Sequence, residues 1–341
     1  MHPKKIAVGM SGGVDSSMSL LLLKRQGWEP VGVSLQMHAF GDIEPAKQVC
    51  EKLGVPHHVY DVQKDFERCV IDFLASELRA GRTPNPCAEC NRTLKFVKLF
   101  EWAQAHGIDY VATGHYARST PAGELLRPKD LSKDQTYGLC FLTGEQLSHT
   151  IFPLGELTKK EVLSLAKKEG FEIFETRKQS QDLCFVSGKD LPKFIEEKVG
   201  KKPGPIFDSK GKRLGFHKGL HFYTIGQRKR LGLNGLYFVK SLDHAKNTLI
   251  VTTDRSEILQ QEAHLSNLHF ISGKLPTSDI PVLAQARYRQ PPVEATLHPL
   301  GNGKALISFS SPIEAVTPGQ VCALYTGGLC LGGGIIIRAT F

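Results

Sequence analysis

The chain has 341 residues, 41% of them hydrophobic, and a formal charge of +9. That length exceeds one small domain, and the apolar fraction fills proper cores, which excludes a disordered chain. No run of about 20 apolar residues is present, which excludes a helical membrane span. Met1–Lys5 leads straight into the strand-like Ile6-Ala7-Val8 without a signal-peptide pattern, so the expected setting is the cytoplasm with no membrane partner.

In chain order, Ile6–Val8 reads as a strand, Ser16–Gln26 as a helix and Pro30–Met37 as a strand. Pro45–Leu53 is helical by pattern and Val55–Tyr60 is strand-like. Asp65–Ala80 and Thr93–His106 carry helical apolar spacing, and Tyr110–Thr113 is strand-like. This alternation predicts an α/β fold, a parallel sheet covered by helices on both faces. Thr158–Glu169 and Asp190–Lys198 add further helices. After about Gly200 the texture turns to short β-branched runs with recurring turn signals, such as Leu233-Asn234-Gly235 and Asn302-Gly303. A break near Ser266–Pro276 divides this β half. The expected domains are 1–200, the nucleotide-binding catalytic part; 201–264, a small middle β domain; and 265–341, a β-barrel.

Between the first strand and the first helix lies Gly9-Met10-Ser11-Gly12-Gly13-Val14-Asp15-Ser16-Ser17. Glycines let backbone N–H groups close on phosphate oxygens, serines add donors, and the helix N-terminus favours negative charge. An ordinary tight turn would explain a Gly-Gly pair but not the whole string. Asp15 is the expected partner of Mg²⁺ on the pyrophosphate, because a carboxylate beside polyphosphate needs a cation between them. The loop lacks the lysine of a Walker A motif.

Of the eight cysteines, Cys50, Cys69, Cys140, Cys322 and Cys330 sit in apolar patterns and read as core. Cys87, Cys90 and Cys184 sit in polar, turn-rich settings. Two prolines precede the Cys87-x-x-Cys90 pair, and a helix is expected from about Asn91, with Arg82 and Arg92 nearby to favour thiolate. A four-cysteine zinc site would need a second Cys-x-x-Cys, which is absent. An iron–sulfur cluster on Cys87, Cys90 and Cys184 and a persulfide relay between thiols both fit the residues.

The basic residues are concentrated. Lys201, Lys202, Lys210, Lys212, Arg213, Lys218, Arg228, Lys229 and Arg230 share one stretch with Asp208 as the only acid. Such a stretch suits a polyanionic partner.

Taken together, several strings resemble the tRNA-specific 2-thiouridylases of the ATP-pyrophosphatase superfamily. They are Ser-Gly-Gly-Val-Asp-Ser-Ser, Gly81-Arg-Thr-Pro-Asn-Pro, Thr113-Gly-His-Tyr-Ala-Arg, Lys133-Asp-Gln-Thr-Tyr, Ser180-Gln-Asp-Leu-Cys-Phe, Tyr223-Thr-Ile-Gly-Gln-Arg, Arg287-Tyr-Arg-Gln and Val316-Thr-Pro-Gly-Gln. The resemblance implies an adenine-nucleotide α-hydrolase-like sheet, and ATP-dependent adenylation of the C2 oxygen of the wobble uridine in a tRNA anticodon loop. Sulfur would then replace that oxygen. It implies that Gly9–Ser16, Met37 and Gly114 bind ATP, and that a sulfur-donor protein loads Cys184 as a persulfide. Cys90 would be the nucleophile, pairing with Cys184 as sulfur leaves. Asn85, Pro86 and Cys87 would border the base. His115, Lys133, Asp134, Gln135, Arg287, Tyr288 and Gln320 would contact tRNA. Cys87 stands where part of the family has Asp. Competing readings are another adenylating synthetase of the superfamily and a non-catalytic RNA-binding protein that keeps ATP as a structural ligand.

Overall fold

A computed structural model describes residues 4–39, 41–171 and 191–340 of the chain. The N-terminal part contributes β1 (Lys5–Gly9), β2 (Glu29–Gln36), β3 (His57–Asp61), β4 (Tyr110–Thr113), a short pair β5 (Arg118–Ser119) and β6 (Leu125–Leu126), and β7 (Thr150–Ile151). Five of these form a parallel sheet in the order β3-β2-β1-β4-β7. Central β1 is apolar and buried from Ile6 to Val8 because both its faces are covered there. Ile6 and Val8 pack with the helices Val14–Arg25 and Lys159–Lys168, whereas Ala7 packs with Leu99, Trp102 and Ala103 of the helix Phe96–Ala105. The expected α/β fold is therefore present. Chain order reverses between β1 and β4, so their carboxyl ends open the crevice where such sheets bind ligands.

The middle strands are β8 (Gly204–Asp208), β9 (Arg213–His217), β10 (Phe238–Asp243) and β11 (Thr248–Thr252). They form a sheet in the order β10-β11-β8-β9 around Ile206, Val239, Leu249 and Val251. The last six are β12 (Leu259–Phe270), β13 (Ile280–Gln285), β14 (Val293–Gly301), β15 (Lys304–Glu314), β16 (Val321–Thr326) and β17 (Leu329–Thr340). They run β12-β15-β14-β13-β16-β17, and β12 pairs with β17 to close a barrel. The barrel begins at Leu259, ahead of the expected start at 265, because β12 runs unbroken through that position.

The catalytic part and the barrel are not independent. β6 adds to β17, with Leu125 opposite Cys330 and Leu126 opposite Leu329. Beneath that seam Tyr137, Leu139 and Cys140 share a core with Val321, Ala323 and Tyr325. Cys50, Cys140, Cys322 and Cys330 are buried core thiols, and burial pushes Cys322 and Cys330 up to about 12. Among the described residues, no helix is long and apolar enough to cross a membrane.

Candidate active site

The loop after β1 and the loop after β4 meet at the crevice. Gly12 adopts φ +70, a conformation that suits glycine, with Pro45 packed against it. The first helix, Val14–Arg25, starts from Gly13, and no side chain caps it. Its first-turn amides are thus left for an anion. Ser16 and Ser17 donate their hydroxyls to the Gly13 carbonyl at 3.0 and 2.9 Å, and Ser11 Oγ lies 3.2 Å from Ser16 Oγ. These bonds fix the turn's shape. Gly114 lies so close that a Cβ there would stand 2.7 Å from Ser16 N. Only glycine lets β4 approach the turn this closely, so Gly9–Ser16 and Gly114 form one surface.

Asp15 sits at the mouth of that surface. Its two carboxylate oxygens accept from Lys159 Nζ at 2.6 and 2.8 Å, and Oδ1 also accepts from the Tyr116 hydroxyl at 2.9 Å. Lys159 is the first residue of the helix Lys159–Lys168, which a Thr158/Glu161 capping box starts beside the first helix. Burial and the neighbouring Asp15 hold the Tyr116 phenol far above its ordinary value, so it stays a donor. The single carboxylate is thus already matched by an ammonium. These residues do not build a resident Mg²⁺ site, and the cation that accompanies ATP is treated below as part of the substrate.

The thiol segment differs from expectation. Pro86–Cys90 is itself helical, because Asn85 caps it by accepting from the Cys87 and Ala88 amides at 3.1 and 3.0 Å. Cys87 therefore lies in the first turn of the helix and Cys90 is its last residue, so neither is ahead of it. A π-helical turn, Asn91–Lys95, follows. Both arginines are committed elsewhere: Arg82 pairs with Glu77, and Arg92 with Glu89 at 2.7 Å. Their charge is largely matched locally. Cys87 is exposed, whereas Cys90 is buried beside Leu74, Leu78 and Leu94. Met37, just past the end of β2, packs on the same cluster. Cys184 lies outside the described residues.

The remaining expected residues fall into two groups. Tyr288 is exposed, with its ring 5.7 Å from Tyr137, and the Tyr137 hydroxyl environment includes Asn85 and Arg287. Gln320 donates to the Thr83 carbonyl at 2.6 Å, and the Thr83 amide donates to the Pro318 carbonyl at 2.9 Å. The barrel thus holds the strand of chain leading into Pro86–Cys90. Lys133 is half-buried on the short turn before Asp134. Asp134, by contrast, pairs with Arg127 at 2.6 Å and accepts from Thr136. Gln135 clasps the Tyr116 amide at 2.8 Å. His115 accepts from or donates to Thr113 at 2.7 Å beside Phe96. Burial, then Lys95, push its pKa well below the usual value, so it is neutral.

The N-terminal part, residues 4–188, matches the family model described as tRNA methyl transferase HUP domain. Residues 192–253 match a tRNA methyl transferase PRC-barrel domain, and 260–336 an aminomethyltransferase β-barrel domain. The chain is 40% identical to the tRNA-specific 2-thiouridylase MnmA of Acetivibrio thermocellus, across 98% of this chain and 100% of that protein. It is 41% identical to the protein of the same name from Moorella thermoacetica, across 96% and 98% of the two. The counterpart from Gloeothece citriformis is 42% identical over 97% and 99%. The chain belongs to the tRNA-specific 2-thiouridylase family. The HUP-type parallel sheet, the middle β domain and the closing barrel all follow the family's order.

Sequence reading missed Lys159 and Tyr116. The Thr158-x-x-Glu161 pattern marks a helix start, which was legible, but nothing in it says that this helix begins beside a loop 144 residues earlier.

Proposed function

We propose that this chain is an ATP-dependent tRNA 2-thiouridylase acting in the cytoplasm on the wobble uridine. The observation that supports the reading is that Met37, just past the end of β2, and Cys90 belong to one apolar cluster, while β2 runs parallel beside β1, whose carboxyl end opens the phosphate loop. The family model's description speaks of methyl transfer, but the phosphate loop and the thiols are what activation followed by sulfur substitution needs.

A uridine C2 carbonyl is a poor electrophile because its oxygen leaves badly. Attack of that oxygen on the α-phosphate of ATP releases pyrophosphate and converts the oxygen into part of AMP. Gly9–Ser16 amides and Lys159 stabilise the charge on the departing pyrophosphate. ATP brings its Mg²⁺, and Asp15 orients Lys159. The terminal sulfur of a Cys184 persulfide, loaded by a donor protein, then attacks C2 and AMP departs. Cys90 thiolate attacks Cys184 Sγ, forming the Cys90–Cys184 disulfide and leaving 2-thiouridine. A cellular dithiol reduces the disulfide.

The base must be splayed from the anticodon loop to reach the pocket. Asn85, Pro86 and Cys87 border it, with Arg287 and Tyr288 on the barrel side and His115 and Lys133 on the sheet side. Gln320 acts through Thr83 and Pro84 as a positioning residue. Asp134 and Gln135 act likewise, since their side chains face inward and Gln135 steadies Tyr116. An iron–sulfur cluster would need Cys87, Cys90 and Cys184 together. Cys184 lies outside the described residues, and no step here runs through iron.

The reading is tested by pyrophosphate release. Purified chain with Mg-ATP should release pyrophosphate and AMP only when tRNA with an unmodified wobble uridine is added. Release driven by ammonia or an amino acid, without tRNA, would overturn it in favour of a small-molecule synthetase.

A further inference from the structure

We propose that Arg213 and Phe216 on β9 form a stacking site for an unpaired base of the tRNA, outside the target pocket; this rests on tRNA being the substrate. Along a regular strand, residues three apart point to opposite faces. The β8–β9 register breaks that rule, since Gly215 pairs with Ile206 but Arg213 with Phe207, leaving Leu214 as an extra residue. Such a bulge flips the alternation. It brings the Arg213 guanidinium over the Phe216 ring, 4.2 Å from its centroid.

Phe216 is 65% exposed, more than any other large apolar side chain among the described residues. Its neighbour His217 turns inward and bonds the Asn247 carbonyl at 3.0 Å. An aromatic ring held outward by a bulge, with a guanidinium already stacked on it, offers a flat surface that any base can extend. β9 is also the free edge of its sheet.

Position and charge identify the occupant. His217 lies opposite Gly204 and touches Asn247, so this end of β9 is the end that carries the β10–β11 turn. His244 of that turn lies directly on Gly81, where a Cβ would stand 2.1 Å from its Nε2. Gly81 opens the segment leading to Cys87 and Cys90. A polynucleotide leaving the target pocket across this end meets exposed Lys202 and Lys218 as well as Arg213. Asp208, the one acid of the stretch, spends its carboxylate on the amides of Lys210 and Lys212. Lys202, Arg213 and Lys218 thus outnumber Asp208 on this surface, which suits phosphates with bases between them.

The test is tRNA binding by the full chain across a salt series. Phe216→Ala should weaken binding roughly five- to a hundredfold with the salt slope unchanged, because stacking releases no counterions. Phe216→Trp should bind like the wild type. Arg213→Ala should weaken binding and lower the slope by about 1. Pyrophosphate release at saturating tRNA should be unaltered in all three. Unchanged tRNA affinity in Phe216→Ala would overturn the proposal, and so would unchanged affinity with a raised KM for the persulfide donor protein, which would assign the surface to that protein. Failure of the wild type to bind tRNA would refute the substrate reading itself.

Discussion

Cys90→Ser is expected to abolish 2-thiouridine formation, by at least about a thousandfold, while leaving tRNA-dependent pyrophosphate release in place. The two half-reactions use different elements. Adenylation depends on the turn after β1, on Gly114 and on Lys159. Sulfur release depends on a thiolate, and a serine hydroxyl at that position neither ionises near neutral pH nor forms a disulfide. Cys90 is only 6% exposed, so the serine also enters an apolar cluster, and a thermal melt should accompany the assay. A folded variant that still thiolates would contradict the assignment of the nucleophile. Mass analysis of digested tRNA separates the outcomes: adenylation without 2-thiouridine is the expected pattern.

Lys159→Met should slow pyrophosphate release by roughly a hundred- to a thousandfold, the scale on which removal of a preorganised electrostatic partner acts. The side chain is 12% exposed and faces the N-terminus of the first helix, where the leaving group must be held. Its removal costs the site a fixed positive charge and leaves the Asp15 carboxylate facing the phosphates. Lys159→Arg keeps the charge and should retain much more activity, while tRNA affinity is unchanged in both. Wild-type release rates in Lys159→Met would show that the ion pair is purely structural.

The parts of this site that sequence revealed are those with local pattern. The Ser-Gly-Gly-x-Asp-Ser-Ser turn was legible because loop, helix start and strand are contiguous, and β1 because its apolar run is continuous. The Pro86–Cys90 helix was misplaced, although Asn85-Pro86 is a cap followed by a first-turn proline and could have been read as such. The committed arginines were also visible in principle, since Glu89 and Arg92 stand three residues apart on a helix. Three features carried no local signal. The π-helical turns at Glu67–Ile71 and Asn91–Lys95 have no distinct periodicity. The two-residue strands β5 and β6 are too short to show alternation, so their addition to the barrel was hidden. Asp15, Tyr116 and Lys159 meet only through the tertiary fold. Gln135, read as a tRNA contact from sequence, clasps the Tyr116 amide of that cluster, and Asp134, read likewise, pairs with Arg127.

The most direct test of the central claim is nucleoside mass analysis of tRNA after incubation with the wild-type chain, Mg-ATP and a persulfide donor. The expected result is 2-thiouridine at the wobble position, formed in step with AMP and pyrophosphate and absent when ATP is omitted. Sulfur-free tRNA in the presence of active ATP cleavage, or a methylated product in its place, would contradict it.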